Sequence, residues 1–542
     1  MKRCPQCRRD YFDDTLSFCL EDGSALVHGL SSVPSTQLPS SDSPTMIYHT
    51  VSPESRSSTS FLPTEMFRVP SEVAIAVLPF ANMSPNNDTE YLSDGLAEEL
   101  LNVLSRINGL RVAGRTSAFS FKGKQTTFAE IGRQLNVTSV LEGSVRTAGD
   151  RVRISVQLVN VSDGYHLWSQ TYDRTLDDIF AIQDDIAASV VEEVRTKLVD
   201  RRADPSLVRR VKVEIADAVK DRAIDPEAHR LMLLGRHFAY RQTPDDTERA
   251  VEHFEKALEI EPNNAQCWVE LGSMRFRQAG NGLIDPERGF EQVKEYANRA
   301  LSIRDDLASA HALVAYLLLL VEFDFTGSYR AIHKALESEP DNTYVLLTCG
   351  MISRRVGKFV EAVGIFRRVI EIDPLNVGAY VGLGTTFLHS GRLDEAEDCL
   401  RKALELSQSA VTVPAFLSLV LLGQGRIEEA RAEVKNETVR VWRDWAQAII
   451  ETVAGRLDEA EAILDGYIRE HREAGALQIA EIYAAMERLD ESFEYLELAL
   501  SKRDPGISII VVSPHLKPLH SDARWQPLLR KIGIPEEYWP KN

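Results

Sequence analysis

A chain of 542 residues is too long for one hydrophobic core and divides into roughly three or four units. Its 81 acidic and 62 basic residues leave a net charge of −19, which repels a phosphate backbone at long range and argues against nucleic acid as a partner. No stretch approaches the roughly 18–20 consecutive apolar residues of a membrane span, and MKRCPQC lacks the apolar core of a secretory leader, so the expected location is cytoplasmic.

Residues 1–27 read as a compact cysteine-bearing module. Cys4-x2-Cys7 is a chelating turn, and Cys19-Leu-Glu-Asp22 is a second knuckle with Asp22 where a fourth Cys would stand. Zinc accepts carboxylate oxygen, so Cys4, Cys7, Cys19 and Asp22 are the candidate ligands of a structural zinc. The pattern resembles the zinc-ribbon modules that open many bacterial multidomain regulators, with a departure at the fourth ligand. The alternative is a metal-free ribbon held by Tyr11, Phe12, Leu16 and Phe18. Cys267, Cys349 and Cys399 lie far apart in helical segments and read as small buried hydrophobes.

Residues 28–70 are dominated by Ser, Thr and Pro, a composition that buries too little apolar surface to offset chain entropy, and they read as a disordered linker. Order returns at VAIAVLPF, Val73 to Phe80, apolar throughout as a strand buried on both faces would be. A helix capped by Ser93 or Asp94 follows, with Leu96, Leu100, Val103, Leu104 and Ile107 at helical spacing. Then come a short strand at Leu110 to Ala113, a loop from Arg115 to Gln125, and a helix from Phe128 to Leu135. Ser139 to Arg146 and Arg151 to Asn160 form a hairpin through Ala148-Gly149-Asp150, with Val152, Ile154, Val156 and Leu158 on one face. Tyr165 to Tyr172 adds a strand, and a helix from Asp177 to about Leu198 closes the unit. The order β-α-β-α-β-β-β-α predicts an α/β domain with a mixed sheet over 72–200.

The blocks IAVLPFANMS, YLSDGLAEELLNVLSRINGLRVAGRTSAFSFKGK, EIGRQLNVTSVLEGSVRTAGDRVRISVQLVNVSDGYHLWSQTYDR and DIFAIQDDIA resemble the domain related to the TolB amino-terminal domain and to FlgO. That resemblance implies a bacterial signalling protein in which the domain precedes helical repeats. Within the domain, Arg115, Lys122 and Lys124 make the most cationic loop, directly after a strand, and are a candidate site for a small anion. The alternative is a solvated loop tying Phe119 and Phe121 to the core.

From Asp225 the chain is helical with a regular beat. Ala362, Ala396 and Ala430 are spaced 34 apart, and the turns GKFVEA, GRLDEA, GRIEEA, GRLDEA and ERLDES begin at Gly357, Gly391, Gly425, Gly455 and Glu487. Trp268, Leu271 and Gly272 open one copy; Gly350, Ala362, Phe366 and Pro374 mark another; Tyr380, Leu383, Gly384, Phe387, Ala396, Leu400 and Ala403 another. These residues resemble tetratricopeptide repeats, about eight helix pairs over 225–505, which implies an all-α superhelix binding a protein or peptide in its concave groove. Groove candidates are Tyr344, Leu347, Met351, Arg354, Val381, Thr385 and Leu388. Trp525, Leu528, Leu529 and Ile532 give the last segment, 506–542, an apolar helical face suited to capping the array.

No GxSxG, HExxH, Walker or kinase motif appears. The expected function is therefore a non-enzymatic scaffold or signalling adaptor, its α/β domain sensing or docking. The alternatives are a transcription regulator using the ribbon on nucleic acid, or a nucleotide-linked signalling enzyme by family analogy. The pattern fixes neither the partner nor an oligomeric state.

Overall fold

The computed structural model describes residues 74–198 and 225–540, apart from 85–88, 108–109, 150, 176–178, 242, 281–282, 409 and 473–474. In a separate N-terminal unit it describes three two-residue strands, β1 (Lys2–Arg3), β2 (Asp10–Tyr11) and β3 (Val27–His28), with β1 antiparallel to both others. Cys4, Cys7, Cys19, Asp22 and the linker to residue 70 lie outside the described residues.

The sheet of the α/β domain holds β4 (Ala74–Val77), β5 (Ala81–Asn82), β6 (Arg111–Val112), β7 (Ser139–Ala148), β8 (Arg151–Asn160) and β9 (His166–Thr175). Its order is β6-β4-β7-β8-β9, with β5 also beside β7. β4 runs parallel to β6 and β7, while β7, β8 and β9 are antiparallel. The mixed sheet follows from the connections: a helix carries the chain back between parallel strands, whereas a short turn at Gly149 forces the hairpin.

Helices cover both faces. Ile75 and Val77 pack with α1 (Glu90–Ser105) and α4 (Ile179–Leu198), and Ala74 and Ala76 pack with Ile131 and Leu135 of α3 (Phe128–Leu135). That two-sided burial is why β4 is apolar at every position. Two expectations need correction. The first helix begins at Glu90, with Thr89 as its uncapped N-terminal neighbour, rather than at Ser93 or Asp94. The expected loop also contains a short helix, α2 (Arg115–Phe119), whose five residues are too few to show a period.

The repeats form eight antiparallel pairs of a first and a second helix: Pro226–Ala239 with Pro244–Ile260, Ala265–Gly280 with Pro286–Ile303, Ala308–Leu320 with Phe325–Ser338, and Thr343–Arg355 with Phe359–Ile372. Val377–His389 with Leu393–Leu406, Val413–Gly423 with Ile427–Glu433, Arg440–Val453 with Leu457–His471, and Ala476–Ala485 with Leu489–Ser501 complete the series. Asp225, Thr243, Asp285, Asp324, Asn342 and Asn376 cap six of these helices through their side chains. Gly357, Gly391, Gly425 and Gly455 sit between paired helices at φ 75 to 80°, where a Cβ is disfavoured. Ala362, Ala396, Ala430 and Ala460 are fully buried where the second helix crosses the first.

After Ser501 the chain makes 3-10 turns at Pro505–Ile509 and Pro514–Leu519, a helix at Trp525–Ile532 and a last turn at Glu536–Tyr538. Trp525, Leu528, Leu529 and Ile532 are buried. Arg524 Nη1 reaches Asp490 at 2.8 Å and Lys531 pairs with Glu497, both on the last repeat helix. No helix among the described residues is long and apolar enough to cross a membrane.

Candidate functional site

Two places gather functional groups: the junction of the α/β domain with the repeats, and the interior of the array. The junction is built around α2. Gly114 N donates to Ile372 O at 2.9 Å, Ser117 N donates to Asp373 Oδ1 at 2.7 Å, and Leu375 N donates to Ser117 Oγ at 2.7 Å. Asp373 thus satisfies an open N–H in the first turn of a helix more than 250 residues away in sequence. A Cβ on Gly114 would lie 2.4 Å from Asp373, so only glycine permits this approach. Leu375 joins the core of α3, and Arg106 pairs with Glu339 on the turn one repeat earlier.

The first repeat closes the junction on the other side. Arg236 bonds Glu99 of α1 and Glu270 of the second repeat, and Leu233 packs into the sheet core. Arg115 Nε donates to Glu98 Oε2 at 2.9 Å, and its guanidinium lies 3.3 Å from the Tyr240 ring centre. Tyr240 donates its hydroxyl to Glu98 Oε1 at 2.9 Å. Lys122 Nζ lies 2.6 Å from both Glu90 and Asp94. Burial raises the Asp94 carboxyl, yet the His237 ring 3.8 Å away and the Lys122 hydrogen bond outweigh it and hold the group below its usual range. Of the three cationic candidates, Arg115 and Lys122 face carboxylates of α1, and Lys124 stays exposed. The loop fastens α2 to α1 and to the first repeat.

In the interior, the candidate groove residues lie on the first helices of the fourth and fifth repeats. Tyr344 is 41% exposed and its hydroxyl reaches Ser273, burial of that end pushing its pKa up to about 12. Leu347, Met351 and Val381 are half-buried against the main core, whereas Thr385 and Leu388 are buried. Arg354 Nη1 meets His389 Nδ1 at 3.2 Å.

The chain's own C-terminal segment crosses this interior. Pro505–Ile509 packs on Ala308–Leu320 of the third repeat, and Pro514–Leu519 packs on Ala476–Ala485 of the eighth. Arg355 donates to Ser508 Oγ, and Ser513 donates to Glu481 Oε1. The His515 and Trp445 rings meet edge to face at 6.0 Å, and Tyr538 lies beside Lys358. Tyr344 stays exposed beside these contacts. The apolar run Ile509 to Val512 is the signal in the sequence for a segment with something to cover.

Residues that sequence reasoning passed over also cluster. His333, Cys349 and Glu361 bring potential metal-ligand atoms within 4.8 Å of one another between the third and fourth repeats. Glu361 already accepts from Tyr329 at 2.9 Å and Ser353 at 2.6 Å, and burial pushes the Cys349 thiol up to about 12. At neutral pH the group is a polar knot with a protonated thiol rather than a prepared thiolate site. Glu481, 1% exposed, is pushed up to about 7 by burial despite the hydrogen bond from Ser513.

Comparison with known proteins matches both parts of this architecture. The array carries tetratricopeptide repeats. Two tetratricopeptide-repeat family models match residues 245–264 and 354–410, and the model described as HilA/YgeH-like transcriptional regulator, second domain, matches residues 71–189. A protein of Rhizobium meliloti (strain 1021) named "Putative adenylate cyclase 3" is 35% identical over 204 residues, 38% of this chain. The chain spans 33% of that relative's length. Among solved structures, Pseudomonas aeruginosa PilF is 21% identical, covering 41% of this chain and 96% of that one, with a TM-score of 0.32. A tetratricopeptide repeat protein from Parabacteroides merdae ATCC 43184 is 14% identical, covering 50% and 100%, with a TM-score of 0.36.

Proposed function

We propose that this protein is a non-enzymatic cytoplasmic scaffold or signalling adaptor whose repeats hold a protein partner and whose α/β domain senses or docks. The carrying observation is the Ser117–Asp373 junction, which ties the second face of the sheet to the turn between the fourth and fifth repeats. A shift of α2 on ligand binding would move the repeats that bear Leu347, Met351, Val381 and Thr385. The TolB/FlgO resemblance and the match to a domain of transcriptional regulators both support a signalling assignment for the α/β domain. The cysteine module adds a head with structural zinc on Cys4, Cys7, Cys19 and Asp22, supported by the spacing of its knuckles.

A photo-crosslinking residue placed at Met351 or Val381 of the full chain tests the reading in cells. Capture of the same protein from both positions, and not from Val360 on an outward second helix (90% exposed), supports it. Crosslinks only to the chain's own C-terminal segment would overturn it.

The regulator match favours a second reading, in which the chain acts in transcription. Salt-dependent retention of duplex DNA by the full chain is the deciding measurement, because neutralised phosphates release counterions. The net charge of −19 opposes that outcome.

A further inference from the structure

Most buried arginines of this chain are matched by carboxylates. Arg236 has Glu99 and Glu270, Arg368 has Asp341 and Glu371, and Arg431 has Glu428 and Glu451. Arg354 and Arg355 are the contrast. They are adjacent at the end of Thr343–Arg355, point into the array, and form no ion pair with a carboxylate among the described residues. Their recorded partners are neutral or basic: His389 for Arg354 and the Ser508 hydroxyl for Arg355. The Nε of each is buried without a hydrogen-bond partner.

Among the described residues, the surroundings add no carboxylate to the pair. Tyr316 of the third repeat interacts with both guanidinium groups, and His515 approaches from the C-terminal segment. Burial, then the Arg355 charge, pulls Arg354 down to about 9, so it remains charged at neutral pH. Two adjacent like charges, largely withdrawn from solvent and without a counterion, are costly. The helix C-terminus beside them supplies only about half an elementary charge. An anion of about two charges would match the pair.

We propose that Arg354 and Arg355, with His389, Tyr316 and Ser508 around them, form a binding site for a phosphate group inside the repeat array. Phosphate carries about −1.5 to −2 at neutral pH, which matches two guanidinium groups where a carboxylate matches one. The planar guanidinium forks suit its oxygens. Both arginines are half-buried rather than sealed, and the exposed face of Tyr344 shows that solvent reaches the same interior. The phosphate is either free or the terminal group of a small molecule. This site goes beyond the partner-binding reading and stands or falls separately from it.

Thermal unfolding and calorimetry of the full chain in phosphate-free buffer, titrated with inorganic phosphate, 5′-AMP or sodium chloride at matched ionic strength, test the proposal. The expected result is saturable stabilisation by phosphate or 5′-AMP that chloride does not reproduce. Binding should weaken at least tenfold in Arg354→Met and Arg355→Met. Without phosphate, those variants should melt no lower than the parent, because each removes an unmatched buried charge. A stronger response to 5′-AMP assigns the phosphate to a nucleotide-like molecule, and an equal response assigns it to the free ion. No saturable response, or one unchanged in the variants, overturns the site. If both methionine variants fail to fold, His389→Gln gives the same decision, since binding unchanged by it would remove the site.

Discussion

Ser117, 256 positions before Asp373 in sequence, donates its N–H to the Asp373 carboxylate while its hydroxyl accepts from Leu375 N, a clasp that joins two units of different architecture. Both residues are essentially inaccessible, Ser117 at 0% and Asp373 at 1%. Asp373 also accepts from Asn376 Nδ2 at 2.8 Å, so one carboxylate orders the turn between two repeats and the start of α2.

Breaking that clasp should uncouple the two units. Asp373→Ala leaves Ser117 N and the Asn376 amide without their acceptor in a dry interface, a cost of about 1–3 kcal/mol for each unsatisfied group. Gly114→Ala should act through sterics, since its Cβ would meet Asp373 at 2.4 Å. Urea unfolding followed by two probes, one in the sheet and one in the repeats, should change from coincident to separate transitions. Coincident curves at unchanged midpoints would show that the junction carries no coupling.

The inter-helix turn of the eighth repeat offers a gain in stability. Glu487 holds φ at 58° where four other repeats have glycine between 75 and 80°. A side chain in that left-handed region costs roughly 1–2 kcal/mol, part of which glycine returns as unfolded-state entropy. Glu487→Gly should therefore stabilise the chain by about 0.5–1 kcal/mol in chemical denaturation. A loss of stability would mean that the Glu487 side chain makes contacts outweighing its backbone strain.

The repeated features were the legible ones. The turn glycines, the buried alanines 34 apart and the alternation along β8 each obey a period that one residue after another reports. Features made by a single residue meeting a distant one left no such trace. Nothing around Asp373 marks it as the cap of α2, and Arg354 looks like any charge ending a helix until its neighbours are seen to lack carboxylates. The C-terminal segment lay between these cases. Its apolar residues at helical spacing announced a buried face, while its path across to the third and fourth repeats depends on how far the superhelix curves.

Glu481 should make stability depend on pH near neutrality. Burial lifts it from 4.5 to about 7 in the fold, with Asp504 nearby adding to the effect. Between those values the folded chain holds a proton that the unfolded chain has released, so stability falls as pH rises from about 4.5 through 7. Glu481→Gln should flatten that part of the curve and add on the order of 2–3 kcal/mol at pH 8, with little effect at pH 4.5. Denaturant midpoints across that range check the sign. A parent whose stability rises over the same interval would rule out Glu481 as the dominant titrating group.

The C-terminal segment should hold the interior closed. Leu516 and Leu519 are fully buried where the segment meets the eighth repeat, and the same segment reaches Arg355 through Ser508. Truncating either leucine to alanine removes buried surface and leaves a cavity, at about 2–5 kcal/mol. Because the array and the sheet have separate cores, the loosening should be local. Hydrogen exchange in Leu516→Ala should quicken first in Ala476–Ala485 and Thr343–Arg355, the helices the segment touches, while β7 and β8 keep their protection. Uniform acceleration across the chain would instead show that the segment supports global stability and not the closure of the interior.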